Sequence, residues 1–150
     1  MKNVLIILLS ILVLSCSSDD DNSEIMNIES TLIAKDNLYG NGAEGITKQN
    51  LIISNQTIWN DLIVQMNSVN NVSENFTETD IDFSEYTIIA IFDEIKGDGG
   101  HSLKLNILSN SENIIVKITD VVPEGNTTTV ITQPFHIVKI SNFDLPIIFE

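Results

Sequence analysis

The sequence predicts an α+β fold: a mostly antiparallel β-sheet of six or seven strands, closed as a sandwich or half-barrel, with one amphipathic helix carrying the single tryptophan. Three observations predict it. Residues 86–92, YTIIAIF, are almost continuously apolar and β-branched, the pattern of a strand covered on both faces. Residues 102–108, SLKLNIL, alternate instead, with Leu103, Leu105 and Ile107 on one side and Ser102, Lys104 and Asn106 on the other, so that strand has one wet face. Ahead of both the period changes once along the chain, where Ile58, Trp59, Leu62, Ile63 and Met66 recur at helical spacing.

At the amino end, Lys2 precedes an apolar run over residues 4–14. The run is too short for the roughly 20 residues of a spanning helix and reads as a secretory leader. It ends Val13-Leu14-Ser15-Cys16, which resembles the lipobox of bacterial lipoproteins, where the thiol is diacylated and the chain cut just before it. Cys16 is the only cysteine. An internal disulfide is therefore excluded, and a lipid site, a free thiol and an intermolecular bridge remain. Its place after an apolar run and a small residue selects the lipid, and two or more acyl chains hold a protein stably on a bilayer. The expected organisation is a signal peptide over 1–15, an acylated Cys16 with a disordered acidic tether over 16–27, and one domain over 28–150. Ser17 stands beside the cysteine where an inner-membrane retention signal has aspartate, so outer-membrane placement is expected. The following Ser-Asp-Asp run resembles the surface-export signal of Bacteroidetes lipoproteins and implies exposure on the cell surface.

Seven lysines, no arginine and 21 acidic residues give a formal charge of −14. Such a surface repels phosphate backbones and lacks the basic patch that nucleic-acid binding needs, which excludes DNA and RNA as partners. The membrane is expected to be reached through the lipid alone.

Along the domain, residues 28–34 hold a weak apolar run, and Gly40, Gly42 and Gly45 mark turns. Residues 49–53 read as a short strand, and Ser54 or Asn55 is placed to cap the helix after it. Trp59 and Leu62 fall on its core face. Residues 67–80, rich in Asn, Ser, Thr and acids, read as a surface loop. Strands 86–92 and 102–108 are then joined through Lys96, Gly97, Asp98, Gly99 and Gly100, read as a glycine-rich hairpin turn. Residues 113–119 alternate again after a tight turn at 109–112. Residues 123–126 form a turn, and 127–140 a long strand interrupted by Pro134, which predicts a bulge or an edge position. Residues 147–149 supply the last strand.

This order of pieces, a Trp-bearing helix, IDFSEYTIIAIF, a Gly-Gly turn, an alternating strand and QPFHIVKI, resembles the C-terminal domain family of the protease complex subunit PrcB. The family's aspartate-phenylalanine-serine step, its loop ending Gly-Gly-Tyr and its proline-aromatic-histidine step correspond to Asp82-Phe83-Ser84, Gly99-Gly100-His101 and Pro134-Phe135-His136, over about residues 48–150. Gly97-Asp98 stands where the pattern has proline and threonine, and His101 where it has tyrosine. The resemblance implies a non-catalytic lipoprotein accessory of a secreted or surface protease, with no cofactor.

The candidate contact residues are accordingly the loop Lys96, Gly97, Asp98, Gly99, Gly100 and His101 and the kink Pro134, Phe135 and His136. A plain hairpin turn and a strand bulge stand against that reading. His101 and His136 are the only histidines, and no zinc-type spacing joins them. A hydrolase would draw on Ser84 or Ser102, yet no GxSxG elbow is present. Asp80, Asp82, Asp93, Glu94 and Asp98 are weak calcium candidates, since hard cations gather carboxylates, but the EF-hand spacing is missing. The rival functions are a small-ligand or calcium-binding lipoprotein and a protease inhibitor that uses the glycine-rich loop as a wedge.

Overall fold

In the computed structural model the described residues are 25–150. The leader, Cys16 and the tether up to residue 24 lie outside them. The strands are β1 (Met26–Asn27), β2 (Thr31–Leu38), β3 (Gln49–Ile53), β4 (Tyr86–Phe92), β5 (Ser102–Ser109), β6 (Ile114–Val121), β7 (Gln133–Ser141) and β8 (Ile147–Phe149). The helix α1 (Gln56–Met66) lies between β3 and β4, followed by a 3₁₀ turn at Val72–Asn75. The fold is α+β as the sequence predicts, with eight strands among the described residues. The added strand is β1, whose two residues fall in the stretch read as tether and pair with Ser109 and Leu108.

The strands form two four-stranded sheets, β2-β7-β4-β3 and β1-β5-β6-β8. All neighbours are antiparallel except β6 and β8. The first sheet is the middle layer, with α1 on one face and the second sheet on the other. This explains the unbroken apolar run of β4, because strand residues alternate between faces and here both faces are dry. Ile88, Ala90 and Phe92 pack toward α1 with Trp59, Phe135 and Ile137. Ile89 and Ile91 pack against Leu103, Ile107, Ile114 and Val116 of the second sheet. β5 and β6 lie on the outer layer; β5 keeps the alternation that its sequence shows, whereas β6 is buried at Ile114, Ile115 and Val116 before it opens to solvent.

Asn55 caps α1 by accepting the amide of Ile58 on its side-chain oxygen at 2.9 Å. Trp59, Leu62 and Met66 are buried, whereas Ile58 faces solvent. The indole N–H of Trp59 donates to the Thr79 carbonyl at 2.9 Å, and its ring stacks on Phe76 at 5.9 Å. The polar loop after α1 is thereby tied to the helix by one aromatic pair.

Two expectations are corrected. Strands 86–92 and 102–108 are not a hairpin: β4 is paired on both edges, by β3 and β7, so β5 starts the other sheet and the glycine-rich segment is a crossover. The strand containing Pro134 begins at Gln133, not at 127, and it lies inside the sheet between β2 and β4. Proline is tolerated there because Phe92–Phe135 is the last pair of the β4 ladder, so Pro134 sits past its end with no amide required on that side. Its carbonyl accepts the Asp93 amide at 2.9 Å. The irregularity of this sheet sits in β2, between Leu32 and Ala34.

Candidate interaction surface at the crossover

The crossover over residues 93–101 is fastened to the segment ahead of β7. Lys96 and Thr132 exchange backbone hydrogen bonds of 2.7 and 3.1 Å, and the Gly99 amide donates to the Thr128 carbonyl at 3.0 Å. The Thr132 hydroxyl donates to the Asp98 carbonyl at 2.9 Å. Beneath the loop, Gln133 donates through Nε2 to the carbonyls of Ile46 and Asp93, both at 2.9 Å. Three stretches distant in sequence thus meet at one end of the sandwich.

Asp93 is the electrostatic centre of this end. Its side chain is 2% exposed, with Oδ1 2.8 Å from Lys48 Nζ and Oδ2 2.8 Å from Lys96 Nζ. Burial alone would raise its pKa, but the hydrogen bonds from Lys48 and Lys96 outweigh that and hold the carboxyl below its ordinary value. The same contact with Asp93 raises Lys48, and for Lys96 the bonds to Asp93 and Glu94 outweigh burial, so its pKa is raised too. Asp98 is held low by hydrogen bonds from His101, whose Nε2 lies 2.8 Å from Oδ1, and from Thr127.

Two of the loop's three glycines, Gly99 and Gly100, are accounted for inside the chain, whereas a Cβ on Gly97 would meet nothing. A Cβ on Gly99 would lie 2.5 Å from Thr128 Oγ1 and 2.9 Å from Val130 Cγ1. Gly100 has a φ of +89° and its Cβ would meet Pro123 at 2.9 Å. Around the loop, beside the exposed carboxylates of Glu94 and Asp98, lies a group of apolar side chains. Ile95, Val122, Val130 and Ile131 are exposed, Val122 to 65%, and the close approaches above place Val130 against Gly99 and Pro123 against Gly100. The sequence reading missed these residues. Val122 falls between the strand read over 113–119 and the turn at 123–126, and Val130 and Ile131 lie inside the strand read over 127–140.

The kink residues part company. Phe135 is 1% exposed and packs on Phe92 and Phe76 in the core, so it offers no surface. His136 is half-buried with Nδ1 3.0 Å from the Leu103 carbonyl, bridging the two sheets. The calcium candidates are not gathered. Asp82 accepts from the amide and hydroxyl of Ser84, Asp93 faces two lysines and Asp98 faces His101, while Asp80 is exposed elsewhere. Among the described residues no three acidic, histidine or cysteine side chains converge.

Burial pushes the His136 imidazole below its ordinary pKa of 6.5. The unfolded chain therefore protonates first as the pH falls, so the contribution of His136 to stability is intact above pH 6.5 and is lost as the pH drops through the depressed value. Thermal unfolding between roughly pH 7.5 and 5 is expected to show a falling midpoint, and His136→Gln to flatten that limb. An unchanged limb in the variant would assign the slope to other groups.

Asp93 and Lys48 also wall a cleft of about 420 Å³ between the sheets, floored by Ile91, Leu103 and Ile118 and rimmed by Asn50, Asp120 and Glu150. No family model matches the chain, and comparisons with curated proteins and with solved structures return no match.

Proposed function

We propose that this chain is a non-catalytic, lipid-anchored envelope protein that holds a partner protein against the crossover end of its sandwich, as an accessory of a secreted or surface protease. The observation that carries the reading is the group of exposed apolar side chains, Ile95, Val122, Val130 and Ile131, around a loop that is itself fastened down. In a chain of net charge −14, apolar residues kept at the surface on a rigid loop fit a protein contact better than a solvated turn. The lipobox-like ending at Cys16 supports the anchor, and the resemblance to the PrcB C-terminal family supports a protease as the partner. The anchor would leave the domain outside the outer membrane on a polar tether.

The test is crosslinking capture from intact envelopes with the full-length lipoprotein. Val122→Asp combined with Val130→Asp is expected to reduce capture of a protease about tenfold, with only a small fall in the unfolding midpoint, because Val122 already faces water and Val130, which packs against Gly99, is partly exposed. Cys16→Ser is expected to release the protein from the membrane fraction. Undiminished capture by the double variant would reject the crossover end. Purified protein that lowers the activity of the captured protease would favour the inhibitor reading instead.

A further inference from the structure

A sheet edge left open presents unpaired backbone amides and carbonyls, and proteins ordinarily shield such edges with bulges, brevity or cover. Three of the four sheet edges here are shielded in that way. β1 and β8 have only two and three residues. β2 carries the irregularity between Leu32 and Ala34, and Thr77 covers it there, donating its amide to the Ile33 carbonyl and its hydroxyl to the Leu32 carbonyl, each at 3.0 Å. β3 is different. It pairs with β4 through five successive residues without a shift, holds no proline, glycine or charge, and among the described residues nothing else bonds to its backbone.

The open edge runs beside the cleft. Asn50 and Ile52 oppose Ile91 and Ile89, so they lie on the face that looks toward the second sheet. Ile52 is 46% exposed there. A strand added outside β3 would send alternate side chains over this apolar floor and close the open flank of the sandwich. At the mouth, Lys48 is committed to Asp93, whereas Asp120 makes no ion pair among the described residues, and Glu150 reaches Lys117 only at 3.6 Å. The uncompensated charge is therefore negative.

We infer that the free edge of β3 takes up an extended segment of a partner polypeptide carrying Lys or Arg among apolar residues, which adds a strand to the middle sheet and seats its side chains in the adjoining cleft. Backbone pairing supplies the affinity and the acidic, apolar-floored cleft the selection. This site adjoins the crossover end through Asp93 and Lys48, but it uses none of the exposed side chains Ile95, Val122, Val130 and Ile131 and does not depend on them.

The probe is a labelled, end-blocked heptapeptide of alternating Val and Lys, titrated onto the full-length chain in neutral detergent, with the Val and Glu counterpart as comparison. The Lys peptide is expected to bind, more weakly as salt rises, and to slow amide exchange at residues 49–53 while leaving β2 unchanged. Ile52→Lys, which places a charge on the edge, should weaken binding about tenfold, and Asp120→Asn about threefold. Equal binding of the Glu peptide, undiminished binding by Ile52→Lys, or protection centred on another strand would each overturn the inference. So would a concentration-dependent dimer of the free protein that Ile52→Lys dissolves, since a second copy would then be the occupant. Should Ile52→Lys not fold, the exchange map of the unaltered chain and Asp120→Asn, at an exposed position, decide the matter. None of these readouts involves Cys16, Val122 or Val130, so failure here and failure of the proposed crossover contact are separable.

Discussion

Replacing Trp59 with alanine is expected to remove about 3–5 kcal/mol of stability, in a domain whose total is about 5–15 kcal/mol. The side chain is fully buried under the middle sheet, so truncation leaves a large cavity that the rigid strands beneath cannot close. It also removes the stacking partner of Phe76 and the indole bond to the Thr79 carbonyl. The loop after α1 loses part of its attachment together with the core, keeping the bonds of Gln56 to Thr79 and Ile81. Trp59→Phe separates the two effects: it keeps an aromatic ring against Phe76 and gives up the hydrogen bond, a net loss of about 1 kcal/mol. Gln56, whose Nε2 lies 3.3 Å from the same carbonyl, limits that loss. Urea unfolding measures both, and a loss below about 1 kcal/mol for Trp59→Ala would mean that the helix contributes little to the core.

The second large effect is expected at Asp93. Removing one partner of a buried ion pair leaves an uncompensated charge, at a cost of about 3–5 kcal/mol, and Asp93→Ala leaves Lys96 beneath the crossover with only the exposed Glu94. Lys48→Ala should cost less than about 1 kcal/mol, because that side chain is 61% exposed and water replaces its partner. Asp93→Leu combined with Lys96→Met should recover most of the stability lost in Asp93→Ala, since an apolar pair of similar volume carries no desolvation penalty. The pH dependence has a definite sign. The folded-state pKa of Asp93 is lowered from 3.8, so its contribution is present above that value and is lost as the pH falls through the lowered one. Lys48 and Lys96 are raised from 10.5, so their contribution is present below that value and is lost as the pH climbs through the raised ones. Asp93→Ala should therefore flatten the acid limb of the unfolding midpoint, and an unchanged acid limb would place its origin elsewhere.

Local signals were read well. The strand over residues 49–53, the helix with its Asn55 cap and the strand over residues 86–92 lie where periodicity and capping place them, because each pattern is complete within a few residues. Partnership was not legible. The stretch between Phe92 and Ser102 suits a hairpin as well as a crossover, and only the claims of β3 and β7 on β4 decide between them. The position of Pro134 inside the sheet escaped for the same reason: whether a missing amide matters depends on where the neighbouring strand stops. The candidate loop was found through its glycines, yet Gly99 and Gly100 answer to Thr128, Val130 and Pro123, while the outward valines carry no sequence mark that distinguishes them from buried ones. Asp93 could be noted as an acid at a strand end with Lys96 three residues on, but Lys48 comes from ahead of β3 and meets it only through the tertiary fold.

The place of β7 in the middle sheet has a kinetic consequence. It joins β2, from the start of the domain, to β4, with Thr31 aligned to Lys139. A chain emerging from the ribosome or threading a translocation channel cannot finish that layer until its last fifth arrives. Assembly must then wait for contacts between distant ends of the polypeptide, which places it among the slow folders, at about milliseconds to seconds. Until then the apolar β4 segment stays without its permanent neighbours, a period in which a chaperone that shields extended chains would be of use.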